Sequence, residues 1–296
     1  FGTNRVENAL LTFDTAGAVE NLNIINLPRY ALTLSQGNAP LLQATGALRY
    51  QLDSQSTTAQ ITAEGALNQL LSIAALENVS AAAGTLNASA NYTDVGGKRK
   101  ANGRVGIEGF TGRYDAYLFT NFQASIEFNI ETDNQVLDIH RAAATFARGF
   151  NAGGTIDLKG QYHLDRKTGQ FTFKTVDLNQ NTFGPILAPS LGENRLVSIS
   201  LNASGEAKLD PEGESAVKAD IKIANWVVQD KAGTLPKTPL SMDIALDGGM
   251  RKEILDLRQL ALQLTPTDRA KNKLQLEAKL DLSKTNPAPS SVTIRS

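Results

Sequence analysis

Apolar and polar residues alternate over long stretches of this chain, and the alternating stretches recur later in the same order. Residues 125–128 (SIEF) return as residues 241–244 (SMDI), an offset of 241 − 125 = 116. Residues 137–139 (LDI) return as residues 255–257 (LDL), an offset of 255 − 137 = 118. A period of two is typical of strands that have one solvated and one apolar face. The sequence therefore predicts a tandem repeat whose unit is made of strands.

The recurring segments divide the chain into one partial repeat and two complete repeats. We expect residues 1–65 to be the C-terminal part of a preceding repeat, residues 66–178 a complete β repeat, and residues 179–296 a second β repeat. The chain starts without Met and stops inside an alternating stretch, so we expect it to be a fragment of a longer protein.

Single segments add detail to this pattern. Residues 197–209 alternate without interruption, which at about 3.3 Å per residue predicts a strand of roughly 40 Å. Residues 66–76 carry leucines at helical spacing and predict a short helix. At the corresponding place, within residues 182–191, Pro185 and Pro189 are expected to limit any helix to one turn.

An antiparallel sheet of such strands has an apolar side that something must cover. Hydrophobic residues make up 41% of the chain but aromatic residues only 6%, so a second sheet would find a thin core to pack against. We therefore expect an all-β fold with long antiparallel strands in one elongated, twisted, curled sheet, a half-pipe. Tandem repeats of about 115 residues build it, and short helical segments interrupt it.

Period-two logic assigns a set of apolar residues to the inner face of this half-pipe, where they would line a groove. They are Val105, Ile107, Ile126, Phe128, Ile130, Ile156, Leu158, Tyr162, Phe171, Phe173, Val197, Ile199, Leu201, Ile221, Ile223, Met242, Ile244, Leu246, Leu274, Leu276 and Leu280. The residues between them, such as Glu127, Asp157 and Lys159, are expected to face water.

Composition argues against several classes of protein. The net charge is −1, from 29 basic and 30 acidic residues, which disfavours a nucleic-acid partner. The chain has no cysteine, so it has neither a disulfide framework nor a thiolate metal site. No apolar run approaches the roughly 20 residues of a membrane-spanning helix.

The sequence offers no constellation that an enzyme or a metal site requires. The only histidines, His140 and His163, lie on the polar side of alternating stretches, and no nucleophile elbow or ligand spacing accompanies them. We therefore predict no catalytic residue, no metal and no cofactor. Glycines within residues 103–109 lack the phosphate-binding pattern. Residues 98–100 (KRK) can meet anionic lipid heads but are interpreted as a solvated turn, and Trp226 as a cap at the end of its strand.

Several motifs recur in a fixed order. A short apolar turn at residues 70–73 and 184–187 is followed by a Gly-rich strand, then by residues 122–126 (FQASI), 137–139 (LDI) and 154–160 (GTIDLKG). In this order, and over nearly the whole chain, the sequence resembles the AsmA-like family (AsmA/TamB-type envelope proteins of Gram-negative bacteria). The resemblance implies a periplasm-spanning, inner-membrane-anchored protein whose curled sheet encloses a lipid-conducting groove.

The leading functional expectation is a non-enzymatic lipid-transfer conduit that carries phospholipid acyl chains along an apolar groove between the inner and outer membranes. Its expected partners are phospholipid or another acyl-chain lipid, together with envelope membrane proteins. Its expected location is the periplasm, with the membrane anchor outside this chain. The alternative is a periplasmic scaffold that assists outer-membrane protein assembly by offering sheet edges. An adhesin or carbohydrate-binding β-solenoid is disfavoured, because such solenoids repeat every 20 to 30 residues or so.

Overall fold

The chain folds almost entirely into strands. The computed structural model describes residues 9–37, 39–74, 78–235, 238–266, 272–283 and 289–296. The described strands form one antiparallel sheet in which neighbours follow the order of the chain, and helix is confined to two short segments of the described residues. The predicted fold class, all-β with long antiparallel strands in one open, curled sheet and short helices, is confirmed.

Contacts between residues divide the chain into two compact units. Unit 1 comprises Phe1–Asn134 and Ile139–Ala152, and unit 2 comprises Gln135–Asp138 and Gly153–Ser296. Two strands contribute to both units. They are β8 (Val136–Arg148) and β9 (Asn151–His163).

Unit 1 contains seven further strands among its described residues. They are β1 (Ala9–Glu20), β2 (Ile24–Gln36), β3 (Ala39–Gln51), β4 (Ser56–Ala66), β5 (Val79–Val95), β6 (Lys98–Tyr114) and β7 (Tyr117–Thr132). Helix α1 (Leu67–Ala74) lies between β4 and β5, inside the segment predicted to be helical, and residues 75 and 76 of that prediction lie outside the described residues. At the turn between β5 and β6, Gly96 and Gly97 adopt φ of 61° and 81°, which glycine reaches without a Cβ clash.

Unit 2 also contains seven further strands among its described residues. They are β10 (Thr168–Asn179), β11 (Arg195–Leu209), β12 (Ser215–Gln229), β13 (Leu240–Arg251), β14 (Ile254–Leu264), β15 (Lys273–Asp281) and β16 (Ser291–Arg295). Helix α2 (Gln180–Leu191) lies between β10 and β11, so six described strands separate it from α1 and six follow it. The repeat boundaries at residues 66 and 179 stay a prediction.

Helix α2 is longer than the sequence predicts. It runs for 12 residues with Pro185 and Pro189 inside it, so the prediction of at most one turn is wrong. Each proline removes one intrahelical N–H donor and disfavours a helical conformation at the residue before it. Interactions outside the helix must therefore offset this loss.

Two interactions hold the first turn of α2 in place. The side-chain oxygen of Asn179, the N-cap residue, accepts a hydrogen bond of 3.0 Å from the backbone N–H of Asn181. The hydroxyl of Thr182 donates to the carbonyl of Gly153 on β9 at 2.7 Å. Thr182 and Pro185 are both buried, so this turn is fixed by packing against unit 2 as well as by its cap.

The buried apolar residues form small patches rather than one large core. Unit 1 buries Leu41, Phe110 and Phe122 among others, and unit 2 buries Leu178, Leu196 and Ile199. In unit 1 the rings of Phe119 and Phe122 meet with centroids 5.1 Å apart. No large side chain of the described residues is fully buried.

The exposed area is large for the mass of the protein. The chain of 31.7 kDa exposes 19041 Å². A compact globular protein of this mass exposes roughly 12,000 Å², and two separate compact domains of half the mass expose roughly 15,000 Å² together. The excess follows from strands arranged in a single layer, because no second sheet covers it within the described residues.

We predict that Asn179→Ala loosens α2. Loss of the cap costs about 1 kcal/mol, which corresponds to roughly fivefold faster hydrogen exchange of the α2 amides if they exchange by local opening. Ser190→Ala, at an exposed position of the same helix, is the matched control and should leave exchange unchanged. Equal exchange in both variants would mean that the cap does not hold the helix.

Candidate functional site

Cross-strand pairing in unit 2 brings apolar residues into one row that crosses eight strands. From β9 to β16 the row contains Leu158, Phe173, Gly205, Ala219, Leu246, Leu260, Leu276 and Ile294. Directly paired residues of an antiparallel sheet point to the same face. With strands about 4.8 Å apart, the row is roughly 34 Å long. We call this face the apolar face of unit 2.

The rows on either side of it are nearly as apolar. One contains Ile156, Thr175, Ala203, Ile221, Ile244, Leu262 and Leu274. The other contains Gly160, Phe171, Ala207, Val217, Gly248, Leu257, Ala278 and Val292. The only hydroxyl in these rows belongs to Thr175, which is buried. Val217 and Leu274 are 36% and 37% exposed, so the face is only partly shielded from solvent.

Unit 1 has an apolar face of the same kind. From β1 to β7 its central row contains Phe13, Leu32, Ala44, Ala63, Ala88, Val105 and Ile126. Small alanines occupy its middle, and the larger side chains lie towards its ends. Phe13, Val105 and Ile126 are all exposed, so a continuous hydrocarbon surface meets solvent. Exposed apolar surface on this scale marks a binding site more often than a solvated surface.

The register places most of the sequence-predicted lining residues on these two faces. In unit 1 they are Val105, Ile107, Ile126, Phe128 and Ile130. In unit 2 they are Ile156, Leu158, Tyr162, Phe171, Phe173, Leu201, Ile221, Ile223, Met242, Ile244, Leu246, Leu274, Leu276 and Leu280. Glu127, Asp157 and Lys159 lie on the opposite face, since they alternate with these residues along β7 and β9.

Two predicted residues have different surroundings. Val197 and Ile199 lie where the pairing of β11 with β12 shifts twice. Ile199 is buried, and its backbone N–H donates to the side-chain oxygen of Gln180 at 3.3 Å. It therefore belongs to the small core beside α2, whereas Val197 is 43% exposed.

The sequence pattern did not identify several members of the apolar faces. Leu257 and Leu260 share the apolar face of unit 2, but a register shift between them breaks the alternation along β14. Phe13 and Leu32 continue the central row of unit 1. For Leu32, the alternation of apolar and polar residues at positions 30–34 is the sequence signal that indicates its face.

The opposite faces are polar and carry cross-strand charges. One row of unit 2 contains Lys159, Thr172, Glu206, Lys218 and Asp247. These side chains line a hollow of about 820 Å³ on this face. A charged hollow of this size is a second candidate site, and the pairing of its cations decides how it is interpreted.

Arg258, one of the cations that line the hollow, is already paired with two carboxylates. The guanidinium of Arg258 lies 2.5 Å from Oε1 of Glu214 and 2.7 Å from Oδ1 of Asp247. The hydrogen bonds that Arg258 donates to these two carboxylates, first to Glu214 and then to Asp247, raise its pKa. Opposite charges also face each other along the row, as at Glu206 and Lys218. The hollow is therefore interpreted as a solvated ion-pair network.

The two histidines have separate partners. His140 Nε2 lies 3.6 Å from Oε2 of Glu131, whose pKa is lowered mainly by a hydrogen bond from Lys100 and further by His140. The Nδ1 atom of His163 lies 2.8 Å from a guanidinium nitrogen of Arg166. Within the described residues, no group of three or more His, Asp or Glu side chains is arranged to hold a metal ion.

Comparison of the chain with protein-family models, with curated proteins and with solved structures finds no match. The resemblance to the AsmA-like family therefore rests on the sequence motifs, and the functional interpretation depends on the geometry of the apolar faces. In the part of the chain that the structure describes, no helix has the length and hydropathy needed to cross a membrane.

Thiol labelling should distinguish the two faces of β9. The chain has no cysteine, so Leu158→Cys and Lys159→Cys each introduce a single reactive group. Because a non-ionic detergent covers apolar surface, it should slow alkylation by a charged maleimide several-fold at position 158 and leave position 159 nearly unchanged. Equal protection at both positions would contradict the face assignment.

Proposed function

We propose that this chain is part of a non-enzymatic lipid-transfer conduit of the Gram-negative envelope, which carries phospholipid acyl chains along its apolar faces between the inner and outer membranes. The observation that carries the proposal is the uninterrupted apolar row in each unit, because it leaves hydrocarbon exposed along a line that crosses successive strands. The ligand is therefore expected to meet the protein through its tails.

The dimensions of the apolar face suit acyl chains. The hydrocarbon core of a bilayer is about 30 Å thick, so one tail spans roughly 15 Å. The central row of unit 2, at roughly 34 Å, is longer than one tail, so more than one lipid can lie along it. Leu158, Leu246 and Leu276 are typical of the row, which contains no side-chain hydrogen-bonding group that would hold a tail at one position. A tail can therefore shift along the row without breaking a specific contact.

The binding free energy of an acyl tail on an open face favours transfer of lipid over its permanent storage. Burying a methylene group contributes about 0.8 kcal/mol, and an open face covers a tail on one side, which recovers roughly half of this. A bound tail is then stabilised relative to water but less than in a bilayer. Lipid that leaves one membrane along such a face is expected to continue into the next.

Location and partners rest on the resemblance to the AsmA-like family. The proposed location is the periplasm, as part of an inner-membrane-anchored protein. Phospholipid or another acyl-chain lipid is the proposed ligand, and envelope membrane proteins are further proposed partners. The near-neutral net charge of −1 is compatible with a ligand that is bound through its tails.

One observation favours the alternative function, a periplasmic scaffold for outer-membrane protein assembly. Leu10, Leu11 and Phe13 of β1 are 57% to 61% exposed. Exposed apolar strand surface of this kind can bind the apolar strands of another protein. Lipid content is the property that separates the two functions.

Mass spectrometry of organic extracts from the purified protein tests the proposal. Phospholipid should copurify at one or more molecules per chain, because the apolar faces would otherwise be left in water. A protein free of lipid that still captures unfolded outer-membrane protein would favour the scaffold and overturn the conduit.

Charge substitutions test whether the apolar face is a path or a packed core. Leu158→Asp and Ile244→Asp should lower bound lipid strongly while the protein still folds, because a carboxylate on a partly open face keeps some of its water. Lys159→Asp, on the polar face of the same strand, is the control and should change neither property. Thermal melting and lipid content are measured together. Complete unfolding of the first two variants would indicate a packed core, and unchanged lipid would exclude the face as the binding surface.

A further inference from the structure

Aromatic rings on the apolar face of unit 2 lie against glycines. A Cβ added at Gly169 would lie 2.8 Å from Cε2 and 3.0 Å from Cζ of Phe171. A Cβ added at Gly160, the β9 residue paired with Phe171, would lie 2.6 Å from Cδ1 of the same ring. The ring of Phe171 therefore occupies the space that two missing side chains leave free.

The neighbouring row repeats this arrangement. A Cβ added at Gly205 on β11 would lie 2.8 Å from both Cε1 and Cζ of Phe173, its partner on β10. Two aromatic residues at successive positions of one face of β10 thus lie over glycines of adjacent strands. The arrangement is a property of the face and not of one residue.

Unit 1 uses the same arrangement with a tyrosine. Tyr30 on β2 is paired with Gly46 on β3, and a Cβ added there would lie 2.7 Å from Cζ of its ring. The hydroxyl of Tyr30 donates to the carbonyl of Gln60, which belongs to β4, at 3.1 Å. To reach that carbonyl, the ring must extend across β3 along the sheet. Its orientation is therefore parallel to the sheet and not upright.

A ring in van der Waals contact with the backbone rises only about 3.5 to 4 Å above it. It also covers peptide groups that a glycine leaves bare. At Gly169 the ring is the nearest neighbour of an added Cβ, so a side chain there would lift the ring away from the sheet. At Gly160, Gly205 and Gly46 an added Cβ would meet a backbone carbonyl oxygen before it met the ring. The glycines thus determine how far the aromatic residues project from the apolar face.

We propose that these glycine–aromatic pairs set the clearance of the lipid path, so that Gly160, Gly169, Gly205 and Gly46 are specificity-determining positions for an acyl-chain ligand. This inference rests on the proposed function. The flat rings give a low apolar lining along which an unbranched tail passes. A raised ring narrows the path at that row and excludes the tail there.

A local photo-crosslinking experiment tests the inference. A photoreactive amino acid replaces Val217, which lies in the row of Phe171 and two strands away from it. Capture of a phospholipid added in vesicles of phosphatidylethanolamine and phosphatidylglycerol is measured by mass spectrometry. Gly169→Ala should lower capture at least threefold, because the ring of Phe171 rises into the path.

Gly106→Ala is the matched control. Gly106 lies on the polar face of β6, where an added Cβ would meet Ser125 Cβ at 3.0 Å and has no aromatic atom among its three nearest neighbours. Its capture should equal that of the parent protein, with folding checked by circular dichroism. Adding Phe171→Leu to Gly169→Ala should restore capture, because the shorter side chain clears the path. A purely structural role of Gly169 would not be rescued in this way.

The outcomes separate the two proposals. Capture that is absent from the parent protein overturns the proposed function and this inference with it. Capture that is present in the parent and equal in Gly169→Ala overturns the clearance role alone. If Gly169→Ala fails to fold, Phe171→Trp, whose larger ring projects further from the face, replaces it, and the same loss of capture is required.

Discussion

A single antiparallel sheet with one hydrocarbon face must either be covered or hold something, and the rest of this structure depends on that constraint. Because the strands follow one another in one layer, each pairing extends an apolar row on one side and a charged row on the other. The described residues bury only small patches, which lie beside the helices, at Phe110 and Phe122, and at alanines within the sheet such as Ala219. The fold is therefore stabilised mainly by its hydrogen-bonded ladders and by side chains lying along the sheet, and the apolar faces remain available to a ligand.

Alternation along single strands was sufficient to predict the fold class and most of the faces. Phe171 and Phe173 lie on the predicted side of β10, with Thr172 on the other, because a regular ladder preserves the period of two. The helical spacing of leucines within residues 66–76 also led to α1, whereas the repeat indicated the place of α2 but not its length. A regular ladder converts sequence pattern into geometry almost directly.

The sequence-based predictions failed where the register of the strands shifts, or where contacts between residues far apart in the sequence determine the local structure. The shift between Leu257 and Leu260 hides two members of the apolar face, and the shifts around Val197 cannot be recognised from its alternating sequence. Pro185 and Pro189 argued against a long helix α2. The helix forms because Asn179 caps it and Thr182 bonds its first turn to Gly153 on β9, and the sequence shows neither contact. Contacts between glycines and rings on other strands need the register, which the sequence alone does not supply.

The most direct test uses Trp226, the only tryptophan of the chain. A register shift precedes it, and it pairs with Leu240, which alternates with Met242 on the apolar face. Phospholipid brominated on its acyl chains quenches a tryptophan that touches those chains. If acyl chains lie on the apolar face of unit 2, Trp226 fluorescence falls when the protein is loaded with the brominated lipid and not when it is loaded with the unbrominated lipid. Bound brominated lipid without quenching would place the tails elsewhere and contradict the account.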